Sequence, residues 1–235
     1  MPTIALLGTM DTKGDEHAFV ADIIRARGHR TLVIDVGTDG PPRLTPDVTR
    51  EQVAAMAGLD LAGLRARHDR GECVAAMAGA AAVVLAKLHS DGKLDGVISL
   101  GGGGGTAIGT AGMRALPLGV PKLMVSTLAS GSTSQYVGVK DIVMMPSIVD
   151  VAGLNRLSRV ILTRAAGAIC GMVEVQPPQA DDKPIVVASM FGNTTDCVQR
   201  AKAIVEDAGY EVLVFHATGT GGRTMESLKI GRAHV

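Results

Sequence analysis

Apolar residues fall in short β-branched or leucine-rich runs, and most runs are followed by a stretch with helical spacing. Ile4 to Leu7 is such a run and stops at Gly8, which predicts a buried strand. The loop Gly8-Thr-Met-Asp-Thr-Lys-Gly14 comes next. From Asp15 to Arg27, Phe19, Ile23 and Ala26 share one helical face, and Gly28 supplies a left-handed cap. Thr31 to Val36 reads as a second strand, completing a β-α-β unit with parallel strands.

The same punctuation continues. Thr49 and Gln52 have capping-box spacing for a short helix over Arg50 to Ala57, and another short helix is expected over Leu61 to His68. Glu72 to His89 is a long alanine-rich helix, Leu94 to Leu100 a strand, and Thr106 to Leu116 a helix. Lys122 to Thr127 and Asp141 to Met145 read as strands, and Leu154 to Val173 as a closing helix. The polar, proline-rich stretch 176–184 predicts a linker. Beyond it, Ile185 to Ser189, Asp196 to Ala208 with Gly209, and Glu211 to His216 repeat the strand-helix-glycine-strand grammar. A shift of 181 residues matches Ile4 with Ile185, Asp15 with Asp196 and Gly28 with Gly209.

The expected fold is therefore α/β, with two tandem Rossmann-like parallel-sheet subdomains over 1–175 and 185–229, the second truncated. Two strands and one helix cannot cover both faces of a parallel sheet. The last residues, Ile230-Gly-Arg-Ala-His-Val235, do not fit a helix beginning near Thr224. They match the translation of a common sequencing adapter, so 230–235 is expected to be an artefactual tail.

Composition narrows the partners. Lysine plus arginine and aspartate plus glutamate both total 23, and aromatics are 2%. Broad electrostatic attraction to nucleic acid or anionic membrane is not expected, nor are base-stacking platforms. Cys73, Cys170 and Cys197 show no paired spacing, which fits a reducing cytoplasm and gives no metal site. The most apolar helix, Cys73 to Leu88, is interrupted by Gly79 and reads as a buried helix, not a membrane span.

Glycine numbers 30 and is clustered where strands end. Gly101 to Gly105 follow a buried strand and open a helix, so their N–H groups can form an anion cradle. Thr106 can cap that helix or bind a phosphate oxygen. Asp11, Thr12 and Lys13 fit neither G-x-x-x-x-G-K-[ST] nor G-x-G-x-x-G. Lys13 can still neutralise a phosphate, while Asp11 can meet ribose or a magnesium-bound water; a solvated helix start fits the loop equally well. Asp35 stands where an acid often binds ribose, with Thr38 and Asp39 nearby. Thr127, Ser130, Gly131, Ser132 and Thr133 form a hydroxyl-rich loop suited to hydrogen bonding, and no G-x-S-x-G marks a nucleophile. His17, His29, His68 and His89 are expected at the surface, and no catalytic residue is assignable.

With these motifs in view, the chain resembles the uncharacterised protein family that shares the N-terminal ATP-binding domain of the tobamovirus-resistance protein. The resemblance rests on Gly-Thr-Met-Asp-Thr-Lys at 8–13, Leu-Gly-Gly-Gly-Gly-Gly-Thr at 100–106 and Gly-Val-Pro-Lys-Leu-Met-Val-Ser-Thr-Leu-Ala-Ser-Gly at 119–131. Val-Asp-Val-Ala-Gly-Leu-Asn at 149–155 and Phe-His-Ala-Thr-Gly-Thr-Gly-Gly at 215–222 add to it. It implies two Rossmann-like subdomains, ATP bound by the first, and a homodimer; magnesium is the expected companion of the ATP. The carried-over site is Asp11, Thr12 and Lys13 with Gly102, Gly103, Gly104, Gly105 and Thr106; Thr38 is a weaker member, and Thr127, Ser130 and Gly131 join from the adjacent loop. Gly103 departs from the resemblance, since relatives commonly carry serine there. The reaction is not implied. An ATP-using enzyme with a co-substrate at the interdomain cleft is the alternative, with His216 and Thr218 to Gly222 as its candidates. An NAD-dependent oxidoreductase and an ATP-stabilised interaction module are further rivals.

Overall fold

The structure, a computed structural model, describes residues 1–178 and 183–228. Most of the expected linker centre, 179–182, and the whole expected tail, 230–235, lie outside the described residues. Two compact units emerge: Met1–Val137 with Asp141–Gln176, and Gly138–Lys140 with Pro177–Val235.

The first unit runs β1 (Thr3–Gly8), α1 (Met10–Ala26), β2 (Arg30–Asp35), α2 (Arg50–Met56), α3 (Leu61–Ala66) and α4 (Arg70–Ser90). It continues through β3 (Gly96–Gly101), α5 (Gly103–Ala115), β4 (Lys122–Ser126), α6 (Ser134–Val137), β5 (Val143–Pro146) and α7 (Arg156–Glu174). Five parallel strands form one sheet in the order β2-β1-β3-β4-β5. Helices cover both faces, as an all-parallel sheet requires. Strand alternation assigns the side chains: Ala5, Leu7, Val97 and Met124 face a core shared with α4 and α5. Ile4, Leu6, Ile98, Leu100, Leu123 and Val125 face the core of α1 and α7.

Local chemistry sets the boundaries. Thr49 and Gln52 make the reciprocal capping box at α2, and Asn155 with Ser158 makes one at α7. Gly28 takes the predicted positive φ of 88° after α1. By length and apolarity α4 is a helix that can cross a membrane. Here Cys73, Met77, Ala80, Ala81, Val84, Leu85 and Leu88 bury one of its faces in the core.

Two boundaries depart from expectation at the positions that matter most. The helix α1 begins at Met10, not Asp15, with Thr9 as N-cap, so the expected loop is its first turn. That turn bends at Lys13, whose φ of −125° and ψ of 20° are not helical. The helix α5 begins at Gly103 with Gly102 as N-cap, so three of the five glycines are already helical and Thr106 caps nothing. His17 and His29, expected at the surface, are buried.

The second unit has β6 (Ile185–Met190), a 3₁₀ turn (Gly192–Thr194), α8 (Thr195–Asp207), β7 (Glu211–His216) and α9 (Gly221–Ser227). β6 and β7 pair in parallel, and Gly209 mirrors Gly28 with a φ of 92°. The repeat holds in grammar, but pairing is one residue out of step: Ile4 faces Thr31, whereas Ile185 faces Glu211. Phe191 stacks on His216 with centroids 6.3 Å apart.

Candidate functional site

In a sheet ordered 2-1-3-4-5, the connections leaving β1 and β3 depart to opposite faces. They open a crevice beyond the carboxyl ends of those strands, where open α/β sheets place ligands. A cleft of about 730 Å³ occupies this position. Its volume falls in the range typical of small-molecule sites, ~300–1,000 Å³.

Three helices begin on its wall: α1 through Thr9 to Lys13, α4 through Asp69 and Arg70, and α5 through Gly102 to Gly105. Each helix start carries unpaired N–H groups and a partial positive charge. Asp69 caps α4, accepting from the Glu72 N–H at 2.9 Å. The N-cap residues of α1 and α5, Thr9 and Gly102, make no side-chain cap hydrogen bond. Glycine is needed at Gly101 because a Cβ there would stand 2.9 Å from the Gly105 Cα. That close approach turns the chain from β3 directly into α5.

Two cations on the wall lack internal partners. The side chains of Lys13, half-buried, and Arg70, exposed, form no hydrogen bond or ion pair with any described residue. Arg65 instead donates from Nη2 to the Asp39 carbonyl at 2.7 Å. The bend at Lys13 has a buried cause. The His17 imidazole lies between two carbonyl oxygens, with Nδ1 2.8 Å from Lys13 O and Nε2 3.3 Å from Leu7 O. A neutral ring has one N–H, and the shorter distance assigns it to Nδ1. Burial pushes the His17 pKa below its ordinary value, although both carbonyls favour the proton. Gly8 makes room for this ring, because a Cβ there would run into it.

A second buried network holds the loop after β2. Arg50 donates from Nε to Asp35 Oδ2 at 2.9 Å, and its Nη1 lies 3.5 Å from Asp11 Oδ2. Asp35 also accepts from the Met10 and Gly37 N–H groups at 3.0 and 2.8 Å. Asp11 Oδ2 accepts from the Asp39 N–H at 2.9 Å. All three side chains are at most 4% exposed. Two carboxylates and one guanidinium leave a net negative charge, and Asp11 Oδ1 has no hydrogen-bond partner. Among the described residues, no cluster of three His, Cys, Asp or Glu side chains suits a metal.

The cleft thus gathers Asp11, Thr12, Lys13, Thr38, Gly102, Gly103, Gly104, Gly105 and Thr127. Three expected members are elsewhere. Thr106 is fully buried, its hydroxyl 2.6 Å from Ser126 Oγ, because α5 starts three residues earlier than expected. Ser130 lines an adjoining depression, and Gly131 lines neither cavity. Asp35 is committed to Arg50 and two N–H groups, which removes the acid that had suggested an NAD site. Arg65, Arg70 and Asp150 line the cleft unforeseen. Asp69-Arg70 carried a legible N-cap signal, and Asp150 lay within the 149–155 motif of the resemblance; Arg65 carried none.

The family described as "Uncharacterised protein family (UPF0261) N-terminal domain" matches residues 2–178, and its C-terminal domain matches residues 183–233. A UPF0261 protein of Clostridium tetani is 49% identical over 226 residues, covering 96% of this chain and 56% of that protein. One from Rhizobium meliloti is 50% identical over 230 residues, covering 97% and 56%. The tomato ToMV resistance protein Tm-1(GCR237) is 36% identical over 251 residues, covering 98% of this chain and 33% of that protein. Among solved structures, the S. aureus MnaA-UDP co-structure overlays with a TM-score of 0.39 at 14% identity, covering 100% of this chain and 67% of that one. That overlay is too distant to inform the site. The chain spans about half the length of the bacterial relatives it matches. It belongs to the uncharacterised protein family UPF0261, carrying the N-terminal domain and part of the C-terminal domain.

Proposed function

We propose that the first unit binds a nucleotide, ATP with Mg²⁺, in the cleft at the β1/β3 switch point. The observation that carries this reading is the uncapped start of α5 facing the same cleft as the unpaired Lys13. Backbone N–H groups of Gly103, Gly104 and Gly105 would receive a phosphate, and Lys13 would neutralise it. Thr12, Thr38 and Thr127 offer hydroxyls along the same wall. Asp11 lines the same cleft and its buried Oδ1 has no partner, so a ribose hydroxyl or a water on Mg²⁺ would have to enter the cleft floor to reach it. With no three-ligand protein cluster among the described residues, the ion would be held mostly by phosphate oxygens and water.

Calorimetric titration with ATP and Mg²⁺ tests this. Binding should weaken about tenfold or more in Lys13→Ala, the effect of losing one charge-assisted contact of ~1.5–3 kcal/mol. Equal affinity in both proteins rejects the Lys13 role. No binding of any nucleoside triphosphate rejects the reading itself.

A further inference from the structure

Beside the cleft, at the carboxyl ends of β4 and β5, lies a second depression of about 440 Å³. Ser126, Thr127, Ser130, Ser147, Ile148 and Asp150 line it, and Thr127 and Asp150 line the cleft as well. The two cavities differ in their charged groups. Lys13, Arg65 and Arg70 line the cleft together with Asp11, Asp39, Asp69 and Asp150, whereas Asp150 is the one acidic or basic side chain among the described residues lining the depression.

Some of its hydroxyls are already used. Ser126 Oγ pairs with Thr106 Oγ1 and accepts from the Leu128 N–H at 3.0 Å. Ser147 Oγ donates to Val149 O at 2.6 Å. The side chains of Thr127, Ser130 and Asp150 have no hydrogen-bond or ion-pair partner among the described residues. At the rim, Ile148 adopts a φ of 65°, a left-handed conformation that a β-branched residue rarely takes, and is 71% exposed. Strain of this kind concentrates at ligand-contacting sites. It leaves an apolar surface beside unpaired hydroxyls, the mixture presented by a small polyol.

We propose that this depression is a second-ligand site for a small, uncharged, hydroxyl-bearing molecule, one of whose hydroxyls donates to Asp150. The inference rests on the nucleotide reading for its geometry. A Cβ on Gly102 would stand 3.7 Å from Thr127 Oγ1, so the glycine turn abuts the shared wall. The phosphate end of a nucleotide, seated at that turn, would then adjoin the second ligand. An anion is disfavoured because the lining offers it Asp150 and no cation.

The test titrates glycerol, erythritol, ribitol and the anion glycerate into the protein saturated with ATP and Mg²⁺, using calorimetry or chemical-shift perturbation. At least one neutral polyol should bind, glycerate should not, and Asp150→Asn, itself kept saturated with ATP and Mg²⁺, should bind that polyol about tenfold more weakly. ATP binding without binding of any neutral polyol overturns the proposal, as does equal polyol affinity in Asp150→Asn. If ATP itself does not bind, the nucleotide reading falls separately. The same polyol titration without ATP then decides the depression: binding supports the subsite and its absence overturns it.

Discussion

The Nδ1 of His17 lies 2.8 Å from the carbonyl oxygen of Lys13, four residues earlier on α1. In a regular helix that carbonyl would accept from the His17 backbone N–H. Here the chain bends at Lys13, and the imidazole brings that carbonyl a side-chain donor. One buried ring therefore sits between the end of β1 and the turn that carries the cleft's half-buried cation, and holds the turn through Nδ1.

The first prediction separates the two ring contacts. The amide nitrogen of asparagine occupies nearly the position of histidine Nδ1, and that of glutamine nearly the position of Nε2. His17→Asn should retain the Lys13 bend and near-wild-type nucleotide affinity. His17→Gln should reach only Leu7 O, and His17→Leu neither carbonyl. Removing the imidazole donor from the Lys13 carbonyl should cost about 0.5–1.5 kcal/mol of stability. Urea unfolding and ATP titration of the three variants check the order; equal behaviour of Asn and Leu would remove the positioning role.

A pH dependence follows from the same ring. Burial lowers the folded-state pKa of His17 beneath its unfolded value near 6.5. Between those two values the unfolded chain binds more protons than the folded one. Stability therefore rises with pH through that window and is lost as pH falls below about 6.5. Unfolding midpoints measured from pH 7.5 down to pH 5 should fall more steeply in the wild type than in His17→Asn, which has no proton to gain there.

Arg50 supports a third prediction. It is the cation partner of both buried carboxylates, Asp35 and Asp11. Removing one partner of a buried ion pair leaves an uncompensated charge, at a cost of about 3–5 kcal/mol. Arg50→Met should destabilise the first unit by that order in chemical denaturation. Adding Asp35→Asn should recover part of the loss, since the amide keeps an acceptor for the Met10 and Gly37 N–H groups without the charge. A double variant no more stable than Arg50→Met would contradict this account.

The strands and their parallel arrangement were legible because hydrophobic runs and glycine caps report directly on burial and chain reversal. The capping box at Thr49 and Gln52 was legible for the same reason: its atoms are three residues apart. Arg50 and His17 were not. Their partners lie on other elements or across a bend, and nothing local distinguishes a buried arginine from a solvated one. Nine of the twelve expected site residues meet in one cleft because loops after β1, β2, β3 and β4 open at one edge of the sheet. Thr106 was misplaced by a rule that usually works. A hydroxyl residue after a glycine run reads as a cap, yet three glycines here wind into the helix before it.

The glycine turn makes the last prediction, since its members are not equivalent. At Gly101 an added Cβ would press on the Gly105 backbone at 2.9 Å, and backbone cannot swing aside as a side chain can. At Gly103, which is exposed, the nearest atom to a new Cβ is Leu128 Cδ1 at 4.0 Å, an ordinary contact. Gly101→Ala should therefore lose about 1–3 kcal/mol through overpacking at the β3–α5 junction. Gly103→Ser should stay within about 0.5 kcal/mol of the wild type. Its hydroxyl would stand at the first turn of α5, beside the N–H groups proposed to hold phosphate. ATP affinity should be unchanged or tighter in Gly103→Ser. Thermal unfolding and ATP titration of the two variants measure both effects. A serine that weakened ATP binding while leaving the fold intact would move the phosphate away from the α5 start, and the nucleotide site would have to be redrawn around Lys13 and Arg70.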